Sequence, residues 1–307
     1  MDDPVRESIK EVDADTWLIG PLTLHRSKGY HSTSTWYDQD DDLSYTLTSA
    51  PIPLPPSVPL PAEHSNIRLV YDAGDSSAVW SVGKSAFCKV KLSVPGTTPE
   101  AATLKYVHGQ RPYFEIPKVL HETEHNGRSY LFLSRVRGRT LANAWPTLNK
   151  EWRDHYMDAV VSVCKFLGSL ESDMLSGVDG KNVLEPFLIK YGAKEDYSSH
   201  NLLQGCESMN MDCSKFVFYH ADLGPGNIMV EETPETGVVG IIDWEVAGFF
   251  PKGWIRTKFR ISSGLDLPDS VTDNPTEWRS GVQNLLGVHG FEDYSTEFVT
   301  WWFQKPE

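Results

Sequence analysis

Four residues suited to phosphate chemistry stand close together in FYHADLGPGNIMV (218–230) and GVVGIIDWE (237–245): His220, Asp222, Asn227 and Asp243. Asp222 and Asn227 are five positions apart across a Pro/Gly turn, and Asp243 ends an Ile-rich run. One carboxylate can orient a hydroxyl and take its proton, while an amide oxygen and a second carboxylate can hold Mg²⁺ against phosphates. That spacing suits phosphoryl transfer from a nucleotide.

The flanking segments must position these groups. FVFY before His220 and NIMVEE after Gly226 read as short strands rich in β-branched and aromatic residues. Between them LGPG is a turn in which glycine supplies unusual backbone angles and proline fixes one of them. TPETG (233–237) turns the chain back into VVGIID, a buried-strand pattern. Taken alone, HxD could be an aspartate in an ordinary hairpin turn. Two coupled motifs in this order argue against that reading.

HADLGPGN followed by IIDWE resembles the paired motifs of aminoglycoside phosphotransferase-like small-molecule kinases, their fungal branch in particular. The resemblance covers roughly residues 65–260. It implies an α+β, two-lobed protein-kinase-like fold with an antiparallel-sheet N-lobe and a mainly helical C-lobe. It also implies Asp222 as catalytic base, His220 bracing the catalytic loop, Asn227 and Asp243 as Mg²⁺ ligands, and ATP as phosphate donor. Two departures argue against an aminoglycoside acceptor. Gly224 stands two after Asp222, where bacterial resistance enzymes usually carry His, and no long acidic C-terminal extension follows. The missing APE segment and the short loop after Asp243 argue against a protein kinase.

A nucleotide site needs a cation on the α/β-phosphates. In AFCKVKL, Lys89 and Lys91 share a strand face by alternation, and Lys89 sits between Cys88 and Val90. An unpaired lysine there is costly unless it meets a phosphate or a carboxylate. Glu100, early in the next helix, matches the lysine–glutamate pair of the kinase fold, with Lys91 the competitor and an exposed edge-strand lysine the alternative. By the same resemblance the loop at 72–83, with Gly74, Ser76 and Ser77, would cap the β- and γ-phosphates. The backbone from Ser134 to Val136 would be the hinge that pairs with adenine.

The rest of the chain frames this reading. Its 307 residues, 40% hydrophobic and 11% aromatic, suffice for two lobes, divided as an N-terminal extension with a Pro-rich strap (1–64), an N-lobe (65–136) and a C-lobe (137–307). The strap, APIPLPPSVPLPAEH, reads as a stiff lead into the first strand, with an SH3-type ligand as the sharper alternative. IRLVYDAG, AVWSVG and AFCKVKL read as three strands, and TPEAATLKYVHG as a helix with Thr97 or Thr98 as N-cap and Gly109 as C-cap. KVLHETEHNGRSYLFLS reads as a hairpin turning at Asn126–Gly127. NKEWRDHYMDAVVSVCKFLGSL is the clearest helix.

No apolar run approaches a membrane span, and the four cysteines lack CxxC spacing, as suits reduced thiols in a cytoplasmic protein. Cys206 and Cys213 with His200 and His220 match no common zinc pattern. The net charge of −14 disfavours a nucleic-acid partner. The expected partner is a small-molecule hydroxyl substrate, the expected assembly a monomer, and the alternative function a binding or repurposed biosynthetic protein that transfers no phosphate. Residues 178–215 and the stretch with Glu245, Phe249, Phe250 and Trp254 are the candidate walls of an acceptor pocket, with simple core packing an equal reading of the three aromatics.

Overall fold

A computed structural model describes residues 4–61 and 66–304. The chain divides into two compact units, Met1–Pro95 with Pro117–Arg135, and Gly96–Ile116 with Val136–Glu307.

The first unit is built on two antiparallel sheets. Strands β1 (Ile9–Asp13), β2 (Thr16–Ile19), β3 (Leu22–Lys28), β4 (Trp36–Asp38), β5 (Leu43–Ser49) and β6 (Val58–Pro59) form one sheet in the order β4-β5-β3-β2-β1-β6. The second contains β7 (Ile67–Asp72), β8 (Ser77–Val82), β9 (Ala86–Leu92), β10 (Val119–His125) and β11 (Arg128–Ser134), ordered β10-β11-β9-β8-β7. The expected Asn126–Gly127 hairpin forms between β10 and β11, with both turn residues at positive φ.

The stretch expected as an extension carries six strands of its own. Its apolar residues alternate over runs too short to stand out, but they face a common interior. Trp17, Leu24, Trp36 and Tyr45 join Trp80, Val82, Cys88, Val90 and Phe132 in one buried cluster. Trp36 stacks on Tyr45 at 5.0 Å between ring centroids. Asp38, from the acidic run, is fully buried and accepts the Lys84 N–H at 2.7 Å, tying β4 to the β8–β9 turn. Gly20, at φ +57°, turns β2 into β3, and a Cβ there would lie 2.2 Å from Cζ of Tyr130. The Pro-rich strap contains β6, paired to β1 at Lys10–Pro59 and Glu11–Val58.

The second unit holds α1 (Glu100–Gly109), β12 (Arg139–Thr140), α2 (Leu141–Ala144), α3 (Lys150–Leu167), β13 (Glu171–Ser172), α4 (Ser199–Ser208) and β14 (Phe216–His220). It continues through β15 (Ile228–Val230), β16 (Val239–Ile241), β17 (Ala247–Pro251), α5 (Lys252–Ile261), α6 (Glu277–Val288) and α7 (Ser295–Trp302). Its strands make two small sheets, β12-β15-β16 and β13-β14-β17. Asn149 caps α3 by accepting the Trp152 N–H at 2.9 Å, and Tyr156, Val160, Val163, Cys164 and Leu167 form its buried stripe.

Helix α1 departs from expectation in two ways. It clusters with the second unit, since Tyr106 packs on Phe218 and Phe249. Its N-cap is Pro99, without a side-chain cap bond, because the Thr98 hydroxyl donates to Asp179 at 2.6 Å instead; Gly109 is its last helical residue. No helix among the described residues is long and apolar enough to cross a membrane.

Trp17 tests whether residues 4–61 belong to this fold. Trp17→Ala should cost about 3–5 kcal/mol in chemical denaturation, the range for emptying a buried aromatic site. A detachable extension would leave the midpoint unchanged.

Candidate active site

Strands β14 and β15 do not pair with each other, so the Asp222 loop is no hairpin turn. β14 pairs with β17 and β15 with β16, which sets two loops side by side: 221–227 and 242–246. Backbone bonds join them at both ends, Ala221 N–H to Val246 O at 2.8 Å and Ile242 N–H to Asn227 O at 3.0 Å.

His220 joins the loops again from beneath. Its Nε2 lies 3.0 Å from the Ile242 carbonyl, which can only accept, and its Nδ1 receives the Asp222 N–H at 3.3 Å. These partners fix a neutral imidazole protonated on Nε2. Full burial works in the same direction and holds the histidine below its ordinary pKa of 6.5. Trp244 covers the ring edge-on at 4.8 Å.

Asn227 donates from Nδ2 to the Asp222 carbonyl at 2.8 Å and to its carboxylate Oδ2 at 2.9 Å. Both partners are acceptors, which sets the orientation of the amide and turns its Oδ1 away from Asp222. The Asp222 carboxyl is raised above its ordinary value by burial, and the nearby Asp243 charge adds to this against His220, Lys258 and Asn227.

Asp243 adopts the left-handed conformation, φ 61° and ψ 63°, uncommon for a residue with a side chain though aspartate tolerates it. Directly after it, Trp244 is buried and fixed by two bonds, its N–H to Glu100 Oε1 at 3.0 Å and its Nε1–H to Ile241 O at 2.9 Å. Carboxylate oxygens of Glu100, Asp243 and Glu245 consequently lie within 4.8 Å of one another. Hard oxygen donors at this density suit a divalent cation of the Mg²⁺ class, so the residues present fit the expected metal.

The other candidate residues lie in the first unit, except Val136. Lys89 is 8% exposed in the central strand of its sheet, opposite Val79 and Leu131, and so is no edge-strand lysine. The Ser76 hydroxyl donates to Ala73 O at 2.9 Å, and Ser77 opens β8 opposite Lys91. Ser134 N–H goes to Lys118 O and Arg135 N–H to Ser85 O, so neither can donate to an adenine without breaking these bonds. Glu100 and Val136 belong to the second unit, as do His220, Asp222, Asn227 and Asp243.

Of the two readings of Phe249, Phe250 and Trp254, pocket wall or core, the structure shows core. Phe249 packs on Phe218 and Tyr106, Phe250 on Tyr219, and Trp254 is fully buried, donating to Glu185 at 3.3 Å. Glu185 also binds Lys258 through both oxygens, at 2.7 and 2.8 Å, in a buried pair. Sequence reasoning passed over Glu231. Its carboxylate accepts N–H groups of Glu235, Thr236 and Gly237 and the Thr236 hydroxyl, folding the turn that returns β15 to β16. Its place two residues before TPETG, at the head of the Glu231–Glu232 pair, was the available signal.

No family model and no curated protein matches the sequence. Among solved structures, the aminoglycoside phosphotransferase APH(3'')-Id from Streptomyces rimosus superposes with a TM-score of 0.52 at 14% identity, covering 77% of this chain and 92% of that one. An aminoglycoside-3'-phosphotransferase of type VIII gives 0.46 at 16% identity, over 79% and 93% of the two chains. The streptomycin–ATP–APH(2'')-IIa ternary complex gives 0.48 at 14%, over 76% and 78%. The chain has an aminoglycoside-phosphotransferase-like kinase fold.

Glu231 sets the expected acid response of the turn between Asn227 and Asp243. Its backbone donors, Glu235 foremost, hold its pKa at about 2 against an ordinary 4.5. The stabilisation is complete above pH 4.5 and is lost as pH falls toward 2. Glu231→Gln should lower stability at pH 7 by about 1–2 kcal/mol and flatten the stability–pH curve in that acid window, read by urea titration. An unchanged slope would contradict the assigned role.

Proposed function

We propose that this protein is an ATP- and Mg²⁺-dependent phosphotransferase acting on a hydroxyl of a small molecule, with Asp222 as catalytic base. The observation that carries the reading is the pair of hydrogen bonds that Asn227 donates to Asp222, in a loop fastened to the one bearing Asp243. A base, an amide oxygen directed away from it, and an acidic cluster then stand in the order that phosphoryl transfer uses.

In the reaction the acceptor oxygen forms a bond to the γ-phosphorus, the bond to the leaving ADP oxygen breaks, and the acceptor proton passes to Asp222. A carboxylate raised by burial is a better base than an exposed one. Asn227 orients that carboxylate through Nδ2, and His220 fixes the backbone from which it projects. Mg²⁺, when bound, neutralises phosphate charge; Asp243 and the Asn227 Oδ1 are its proposed holders, with Glu245 beside them. Lys89, Ser76, Ser77, Ser134 and Val136 are assigned to the nucleotide from sequence, and the two units to the lobes of a kinase-like fold.

Nucleotide-dependent thermal stabilisation and slow ATP hydrolysis need no known acceptor. Both should appear with ATP–Mg²⁺. Asp222→Asn should lower turnover by about 10²–10⁴-fold while nucleotide still stabilises the fold. Asp243→Asn should remove the Mg²⁺-dependent part of that stabilisation. Absence of both signals in the unmodified protein at saturating ATP–Mg²⁺ would refute the proposal in favour of a binding protein that transfers no phosphate.

A further inference from the structure

The Pro-rich strap, which phosphoryl transfer does not use, walls a cavity of about 290 Å³ in the first unit. Strand alternation supplies the rest of the lining. Ser8 and Lys10 stand two apart at β1, Leu18 and Gly20 two apart at β2, and Arg128 and Tyr130 two apart on β11; each pair shares a face, and all six line the cavity. Antiparallel register sets Lys10 opposite Leu18, and Arg128 opposite His125 across the β10–β11 hairpin. Leu54 and Ser57 come from the strap, which the pairing of β6 with β1 holds in place. The walls are firmly based. Arg128 Nη1 donates to the Ser8 hydroxyl at 3.1 Å, a bond across 120 positions of sequence, and Tyr130 and Leu18 are buried.

The lining has a charge opposite to that of the chain. The protein carries −14 overall, yet Lys10 and Arg128 both line this cavity, with Glu7 as the one acidic lining residue. An ammonium, a guanidinium and the hydroxyls of Ser8 and Ser57 are donors suited to an oxyanion. Leu18, Leu54 and Tyr130 add an apolar surface. At about 290 Å³ the space lies at the foot of the usual range for ligand pockets, which suits a metabolite-sized molecule and not a polymer. We propose that this cavity binds a small organic anion, its carboxylate or phosphate held by Lys10, Arg128 and Ser8 and its carbon skeleton laid on Leu18, Leu54 and Tyr130. The site shares no residue with the one assigned to phosphoryl transfer, and its lining belongs wholly to the first unit.

The test uses the full chain, with phenyl phosphate and benzoate as probes, benzyl alcohol as the neutral control, and isothermal titration as the readout. Saturable one-to-one binding is expected, and which of the two probes binds more tightly tells phosphate from carboxylate. Benzyl alcohol should bind at least about tenfold more weakly. Lys10→Gln and Arg128→Gln should each weaken the probe about tenfold or more, while the thermal response to ATP–Mg²⁺ stays that of the unmodified chain. Acetylation footprinting of the unmodified chain decides the matter even if a variant folds poorly. Saturating probe should slow labelling of Lys10 severalfold and leave the exposed Lys150 unaffected. Absence of saturable binding by either anion, undiminished binding in the folded variants, displacement of the probe by ATP–Mg²⁺, or an unprotected Lys10 would overturn the proposal.

Discussion

A single imidazole holds the candidate site together. His220 gives its one proton to the Ile242 carbonyl and takes the Asp222 N–H on its other nitrogen, so one ring spans the loop that bears Asp222 and the loop that bears Asp243. The second bond requires the neutral ring. A protonated imidazole would keep the first and lose the second, because Nδ1 would then be a donor facing a donor. Complete burial beneath Trp244 disfavours the charged form and so protects the geometry. The same tryptophan fixes Glu100 through its backbone N–H, so the start of α1 joins this assembly.

Negative charge accumulates around that core, and the fold spends stability to keep it there. Asp222, Asp243, Glu245 and Glu100 gather near one another, and Asp243 does so in a backbone conformation that costs roughly 1–3 kcal/mol. Such strain persists only where the surroundings over-determine it. Here they do: β16 ends just before Asp243, Trp244 is bonded at both its nitrogens just after it, and β17 follows within a few residues. Buried Lys258, held by Glu185, carries a positive charge that opposes the upward shift of Asp222. A carboxylate cluster of this kind is a poor contributor to stability and a good receiver of cations.

What the sequence revealed was mostly local. Short-range rules sufficed for the Asn126–Gly127 hairpin, for α3 with its Asn149 cap, and for the strands that flank Asp222 and Asp243. Pairing was less legible. Nothing in FVFYHADLGPGNIMV says that its two strands belong to different sheets, because their partners, β17 and β16, come later in the chain. Residues 4–61 hid six strands for a related reason. Each strand is two to seven residues long, and its burial becomes clear only against β8, β9 and β11. The aromatics at 249, 250 and 254 show the limit of residue type as a guide, since rings suited to a pocket and rings suited to a core look alike until their neighbours are known. Glu100 was found for its match to a lysine in the other unit, and nothing in the sequence pointed to the Trp244 N–H that it accepts within its own unit.

The discontinuity of the first unit has a consequence for how the chain is made. In the five-stranded sheet β9 lies between β8 and β11, yet β11 follows α1 in sequence, and α1 belongs to the second unit. As a ribosome extends the chain, β7 to β9 emerge with one flank of β9 unpaired, and an open strand edge in a nascent polypeptide is an aggregation hazard. That exposure ends only when residues 117–135 arrive, after a whole helix whose own packing partners, among them Phe218 and Trp244, are about a hundred residues further on. Neither unit can therefore finish before the other has begun. The steps that complete both are long-range contacts, which makes folding slow and favours assistance by chaperones during synthesis.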